Sequence, residues 1–180
     1  MSDPVRGEVA EVEGGPEYDL DFREHPERYR HTPDERGAFK IEPYKSELLP
    51  EWGIATLANA EDGAEAIYER YCQYRAADDF VGMDLARKYL QMGWTRAMRY
   101  AKYPGGNKYR TDEDGEARSA SDSASGETAS GGKRVERDPQ QWYDPEKREI
   151  AVVYKEYLDR VRGDEAYERS KRDHRERYGE

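Results

Sequence analysis

The sequence contains little of what usually builds a protein core. Leu, Ile, Val and Phe together number 22 of its 180 residues, whereas 39% of all residues are charged. Such a composition is typical of disordered chains, because too little apolar surface can be buried to offset the conformational entropy. Fifteen Tyr and three Trp change that expectation, since each can bury a broad ring face while its OH or NH keeps a polar partner. The composition therefore predicts a small core rich in tyrosine.

Several chemical signatures are also missing. The one cysteine, Cys72, allows no intrachain disulfide bond, and the scattered His25, His31 and His174 have no zinc-binding spacing. No stretch approaches the roughly 18 consecutive apolar residues of a membrane span, and the N-terminus lacks the layout of a secretory signal. We therefore expect a cytoplasmic protein with no metal, cofactor or membrane contact. No nucleophile, zinc-protease or nucleotide-binding motif is found, so no catalytic residue is identified and enzymatic activity stays an open question.

The charge is acidic overall but unevenly distributed. Acids outnumber bases 40 to 30, and the bases are 21 Arg against 9 Lys. This balance resembles that of proteins from salt-loving archaea, whose carboxylates keep the surface hydrated where salt screens charge, and it predicts a halophilic protein. Residues 83–110 nevertheless carry a net charge of +6, which leaves -16 for the rest of the chain. We call residues 87–110 the basic segment.

The order of patterns predicts a mainly α protein with a single compact helical domain, formed by residues 17–110 and 133–178. Residues 1–16 are expected to be a disordered tail, and residues 111–132, which are rich in Ser and Gly, a disordered insertion. Turn formers separate isolated apolar anchors over residues 18–53, which predicts an irregular N-terminal wrap. Apolar and polar residues alternate over residues 38–42, as in a short strand, although no partner strand is evident.

Apolar residues at spacings of three and four predict the helices. The first covers residues 62–77, and the second covers residues 79–103 and ends at Pro104, Gly105 and Gly106. A third begins at Asp144 and Pro145, an N-cap followed by proline at the first helical position. Its expected apolar stripe is Ile150, Val153, Tyr154, Tyr157, Leu158 and Val161. Residues beyond Gly163 are expected to form a solvated helix.

Helical geometry divides the second predicted helix into two faces. The polar, basic face consists of Asp84, Lys88, Gln91, Thr95, Arg99 and Lys102. Arg96 instead falls in the apolar arc beside Tyr89 and Met92, where an arginine needs a partner. That partner is either a carboxylate of another segment or a phosphate or carboxylate of a ligand, which the planar guanidinium suits. The plainer interpretation of the whole face is a solvated surface neutralised by the surplus acids.

The basic segment is predicted to bind a phosphate-bearing ligand, with nucleic acid as the leading candidate. The expected ligand-binding residues are Arg87, Lys88, Gln91, Arg96, Arg99, Lys102, Gly105, Gly106, Lys108 and Tyr109. The arginines would supply forked hydrogen bonds, the lysines charge and the glycine loop backbone donors, while Trp94, Tyr103 and Tyr109 could stack on bases.

Two alternatives stay open. A small enzyme would hold an anionic substrate or phosphorylated small molecule in a pocket lined by Arg96 and Arg99. A protein-interaction module would expose the apolar side of its C-terminal helix, at Ile150, Val153, Tyr157 and Val161, to a protein partner.

Three blocks of the sequence resemble the DUF4385 family. They are EPYKSELLPEW at 42–52, DFVGMDLARKYLQMGWTRAMRYAKYPGGNKY at 79–109, and the Tyr- and Arg-rich C-terminal helices. All the expected ligand-binding residues except Lys102 match the family pattern. The chain departs from it at Met98 and over residues 102–104, where the family is more basic and has an Asn-His pair. The resemblance implies one compact domain over residues 20–110 and 135–178, but it supplies no activity and no catalytic residue.

Overall fold

Five α-helices make up most of the described chain. The computed structural model describes residues 20–104, 109–111, 134–136 and 142–179. The helices are α1 (Tyr44–Leu48), α2 (Leu57–Ala76), α3 (Phe80–Lys102), α4 (Pro145–Arg162) and α5 (Glu165–Tyr178). Two short strands, β1 (Tyr109–Thr111) and β2 (Arg134–Glu136), pair antiparallel, with Arg110 opposite Val135. The prediction of a mainly α, compact domain is confirmed. The predicted tail lies outside the described residues, as does the predicted insertion apart from Thr111.

Side-chain caps fix where the long helices begin. Thr56 accepts a hydrogen bond from the Asn59 N–H at the start of α2, which therefore begins five residues before the predicted 62. Asp79, Asp144 and Asp164 cap α3, α4 and α5 in the same way. The predicted start of α4 at Asp144 and Pro145 is confirmed. Among the described helices, none combines the length and the apolar character that a membrane span requires.

Helix α3 lies at the centre of the domain, packed against α2, α4 and α5. Its N-terminal half, from Phe80 to Gly93, is buried on every side. The N-terminal wrap covers the side that the other helices leave open, and hydrogen bonds hold it there. The Tyr89 hydroxyl donates to the Ala38 carbonyl at 2.6 Å, and the Trp52 indole N–H donates to the Tyr89 carbonyl at 3.0 Å.

One local prediction is wrong, and a second is confirmed only in part. Residues 38–42 do not form a strand with neighbours: they close a turn in which the Ile41 N–H donates to the Gly37 carbonyl, and only Glu42 makes an isolated bridge, with Asp21. The predicted solvated helix beyond Gly163 is present as α5 and is mostly exposed, but Tyr167 and His174 are buried against the core. The contacts that bury Tyr167 and His174 join residues far apart in the chain, so local polarity could not reveal them.

Candidate functional site

The first turns of α3 contain a buried ionic cluster centred on Asp84, whose side chain is fully buried. Its Oδ2 accepts hydrogen bonds from the Tyr29 hydroxyl at 2.5 Å and from His31 Nδ1 at 3.0 Å. Its Oδ1 accepts from the Tyr167 hydroxyl at 2.6 Å and from Arg87 Nη2 at 2.9 Å. Donors from the wrap, α3 and α5 thus converge on both carboxylate oxygens.

Arg87 uses its remaining N–H groups on the N-terminal wrap. Its Nη2 donates to the Thr32 carbonyl at 2.6 Å, and its Nη1 donates to the Pro33 and Asp34 carbonyls, both at 3.1 Å. Nη1 also donates to Gln91 Oε1 at 2.8 Å. Only 2% of Arg87 is exposed, so the guanidinium has neither a spare donor nor access to an external phosphate.

Lys88 and Gln91 also connect α3 to the N-terminal wrap. Lys88 Nζ donates to the Arg36 carbonyl at 2.6 Å and to Thr32 Oγ1 at 3.0 Å. Gln91 Nε2 donates to the Pro33 carbonyl at 3.0 Å. Both side chains are buried. The polar face of α3 therefore binds backbone carbonyls of the wrap. These carbonyls satisfy side-chain donors that would otherwise be costly to bury.

The pKa values follow from burial and from this pairing. Burial alone would raise the pKa of Asp84, but the hydrogen bond from His31 and the charge of Arg87 outweigh it and hold the pKa well below its usual range. Burial likewise disfavours the charged form of Lys88 and lowers its pKa to about 8. Burial also raises the pKa values of Tyr29 and Tyr167, and the charge of Asp84 raises them further, so both phenols stay protonated donors.

These contacts correct the expected surface. Arg87, Lys88 and Gln91 were expected to bind an external ligand, the last two from an open polar face, yet all three are buried and paired with the protein's own groups. Helical spacing shows that polar residues share a face, but it cannot show whether solvent or another segment covers that face. Tyr29, His31 and Tyr167 complete the cluster and were missed, since they lie more than 50 residues away from Asp84 and no motif links them.

Arg96 is more exposed than expected, whereas Arg87, Lys88 and Gln91 are more buried. It was expected in the apolar arc, but it is exposed. Beyond Gly93, the only buried residues of α3 are Ala97 and Ala101. The Arg96 guanidinium lies over two rings of the wrap, 5.3 Å from the centroid of Phe39 and 5.9 Å from that of Trp52. In the part of the chain that the structure describes, no carboxylate pairs with Arg96.

The other basic residues of this half of α3 lie near it. Arg99 is exposed, and Lys102 is half-buried with Nζ 5.2 Å from the Trp142 ring centroid. We call Arg96, Arg99 and Lys102, with the rings of Phe39, Trp52 and Trp142, the cation–aromatic surface. The three bases follow each other at intervals of three residues, over about 9 Å of helix. Phe39, Trp52 and Trp142 were not predicted for a site, because they come from segments distant in sequence.

The remaining expected residues are only partly described. Gly105, Gly106 and Lys108 lie outside the described residues, and Tyr109 belongs to β1 but its side chain is not described, so their role stays a prediction. The expected stacking residues Trp94 and Tyr103 are half-buried. Two cations already lie over the Trp94 ring, Lys155 Nζ at 5.3 Å and Arg162 at 5.9 Å from its centroid.

The described residues contradict part of the protein-interaction hypothesis, whereas the pocket of the enzyme hypothesis stays a prediction. A cleft of about 430 Å³ lies at the other end of α3, and neither Arg96 nor Arg99 lines it. On α4, Ile150 and Val161 are fully buried, and Val153 and Tyr157 are only partly exposed, so the apolar stripe faces the core. Over residues 20–104 and 142–179, no group of three His, Cys, Asp or Glu side chains could hold a metal ion.

Fold and site together define an α-helical domain with a buried ionic cluster at one end of its central helix and a cation–aromatic surface at the other. Comparison with known families agrees with the resemblance seen in the sequence. The chain belongs to the family described as domain of unknown function (DUF4385), whose family model matches residues 13–177. Comparisons with curated proteins and with solved structures give no match.

Proposed function

We propose that this protein binds a phosphate-bearing ligand, single-stranded nucleic acid, through the cation–aromatic surface. The observation that carries the proposal is the state of Arg96: an exposed guanidinium held over two aromatic rings, with no carboxylate partner among the described residues. Such a group keeps its in-plane N–H donors available for phosphate oxygens. The buried Arg87 lacks this property, so the proposed footprint shrinks from the whole basic segment to the part of it that begins at Arg96.

The rings beside the bases favour a nucleic acid over a simple anion. Phe39 and Trp52 meet edge to face, with centroids 6.5 Å apart, and both are partly exposed. An arginine plane and half-exposed rings offer stacking faces for bases, which binders of single strands use without requiring a fixed sequence. Arg99 and Lys102 continue the positive charge along the same helix.

The acidic surplus of the chain shapes the expected binding. A protein with a net charge of -10 gains little from diffuse attraction to phosphates, so affinity has to come from local contacts. For single strands, the slope of log affinity against log salt is about -0.7 per phosphate neutralised. We therefore expect a shallow salt slope, of about -1.4, for the two phosphates that Arg96 and Lys102 would neutralise.

Fluorescence anisotropy with labelled oligothymidylate and oligouridylate across a salt series tests the proposal. Arg96→Ala should weaken binding about tenfold or more and reduce the salt slope by about 0.7. Arg96→Lys keeps the positive charge but removes the planar guanidinium. It should therefore show the wild-type salt slope but only part of the wild-type affinity. Arg172→Ala is the matched control, since Arg172 is an exposed arginine on α5.

Equal affinities for wild type, Arg96→Ala and Arg172→Ala would contradict the proposal. Binding of inorganic phosphate or a mononucleotide as tight as that of the oligonucleotides would instead favour the small-anion alternative. Circular dichroism of each variant checks that the helices are retained.

A further inference from the structure

The cleft at the N-terminal end of α3 has features of a second binding site. Its volume of about 430 Å³ is that of a small-molecule site, and it lies between the start of α3 and the last turns of α5. Three rings form part of its wall: the centroid of His174 lies 5.1 Å from that of Phe80 and 4.9 Å from that of Tyr178. The cation–aromatic surface shares none of these residues.

His174 contributes an acceptor without a partner. The side chain is only 7% exposed, and its Nε2 lies 2.8 Å from the Tyr29 carbonyl. A carbonyl oxygen only accepts, so Nε2 carries a proton in this contact, and in the neutral tautomer Nδ1 presents a lone pair. No hydrogen bond to Nδ1 is found within residues 20–104 and 142–179. A buried polar atom left in this state, in the wall of a cleft, points to a donor supplied from outside.

Two carboxylates of the same cleft are also unused. Asp78 and Asp173 line it and are exposed, and neither forms a salt bridge or a side-chain hydrogen bond with any described residue. Of the other charged groups in the lining, Asp79 caps α3 and accepts from the Tyr44 hydroxyl, and Arg23 forms a bidentate pair with Glu47. Arg177 has no carboxylate partner among the described residues. The available groups are therefore mostly acceptors.

We propose that this cleft binds a small molecule carrying a primary ammonium group, an amine or an amino acid. An ammonium has three N–H donors and no acceptor, which matches the His174 Nδ1 lone pair and the carboxylates of Asp78 and Asp173. The rings of Phe80 and Tyr178 in the cleft wall suit its carbon chain. Arg177 also lines the cleft and would pair with the carboxylate of an amino acid but not with a simple amine.

Isothermal titration calorimetry with n-butylamine, L-lysine and butyrate tests the assignment on the full-length chain. Butylamine and lysine should bind saturably and butyrate should not. Asp173→Asn removes one carboxylate at an exposed position, and His174→Gln keeps a donor for the Tyr29 carbonyl while it removes the ring acceptor. Each should weaken amine binding about tenfold or more. Glu176→Gln, an equal charge change on an exposed residue of α5 outside the cleft lining, should leave it unchanged.

Tighter binding of lysine than of butylamine, lost in Arg177→Ala, identifies an amino-acid site, and equal binding identifies an amine site. The proposal is overturned if butyrate binds as tightly as butylamine, if no probe saturates, or if Asp173→Asn and Glu176→Gln bind amines alike. Oligonucleotide affinity should not change in Asp173→Asn, so this test is separate from that of the proposed function.

Discussion

Replacing Asp84 by asparagine is expected to destabilise the protein strongly. The carboxylate balances the buried charge of Arg87, and it accepts hydrogen bonds on both oxygens, from Tyr29 and His31 on one and from Tyr167 and Arg87 on the other. An amide of the same shape has one accepting oxygen, so its NH₂ group must face two donors. The Arg87 charge would also lose its counter-charge in the interior.

The magnitude follows from these two effects. Removing one partner of a buried ion pair costs about 3–5 kcal/mol, because the other charge is left uncompensated. For a domain of this size, each kcal/mol lowers the melting temperature by about 2–4 °C, which gives a decrease of about 6–20 °C. Since the pKa of Asp84 is depressed in the folded state, its stabilisation is complete above the ordinary carboxyl pKa of about 3.9 and decreases as the pH falls below it.

Urea unfolding followed by circular dichroism measures the effect at pH 7 and at lower pH. Asp159→Asn is the control: it removes an exposed pair with Lys155 and should cost less than about 1 kcal/mol. Adding Arg87→Met to Asp84→Asn removes the uncompensated charge, so the double variant should lose less than the sum of the single losses. A loss below about 1 kcal/mol in Asp84→Asn, or strict additivity in the double variant, would refute the role given to this cluster.

Two further predictions test the packing of α3. Burial lowers the pKa of Lys88 to about 8, below the ordinary value of about 10.4. The unfolding free energy of wild type relative to Lys88→Met should therefore rise by up to about 1.4 kcal/mol per pH unit between pH 8 and 10. A constant difference across that range would argue against the lowered pKa. A Cβ on Gly93 would lie 2.4 Å from the ring of Tyr154, whose hydroxyl donates a hydrogen bond to the Gly53 carbonyl. Calorimetry of Gly93→Ala should therefore show a loss of about 1–3 kcal/mol in unfolding free energy. An unchanged melting temperature would mean that the ring can move aside.

The helices were predictable from the sequence because their signals are local. The apolar spacing of α3, the Asp144–Pro145 start of α4 and the breaks after Ala77 and Gly163 each involve residues within a turn or two of one another. Hydrogen bonding within a helix and capping of its end depend on such neighbours alone. The mainly α class and the approximate bounds of α2, α3 and α4 follow from them.

Only the tertiary structure decided which bases are available. Arg87 and Arg96 are both arginines of one helix, but the wrap covers the first with backbone carbonyls and leaves the second exposed over its rings. Burial of a helix face depends on which distant segment packs on it, and periodicity carries no information about that segment. The same reason hid the partners of Asp84 and the open acceptor of His174, since each is defined by a contact between residues far apart in the chain.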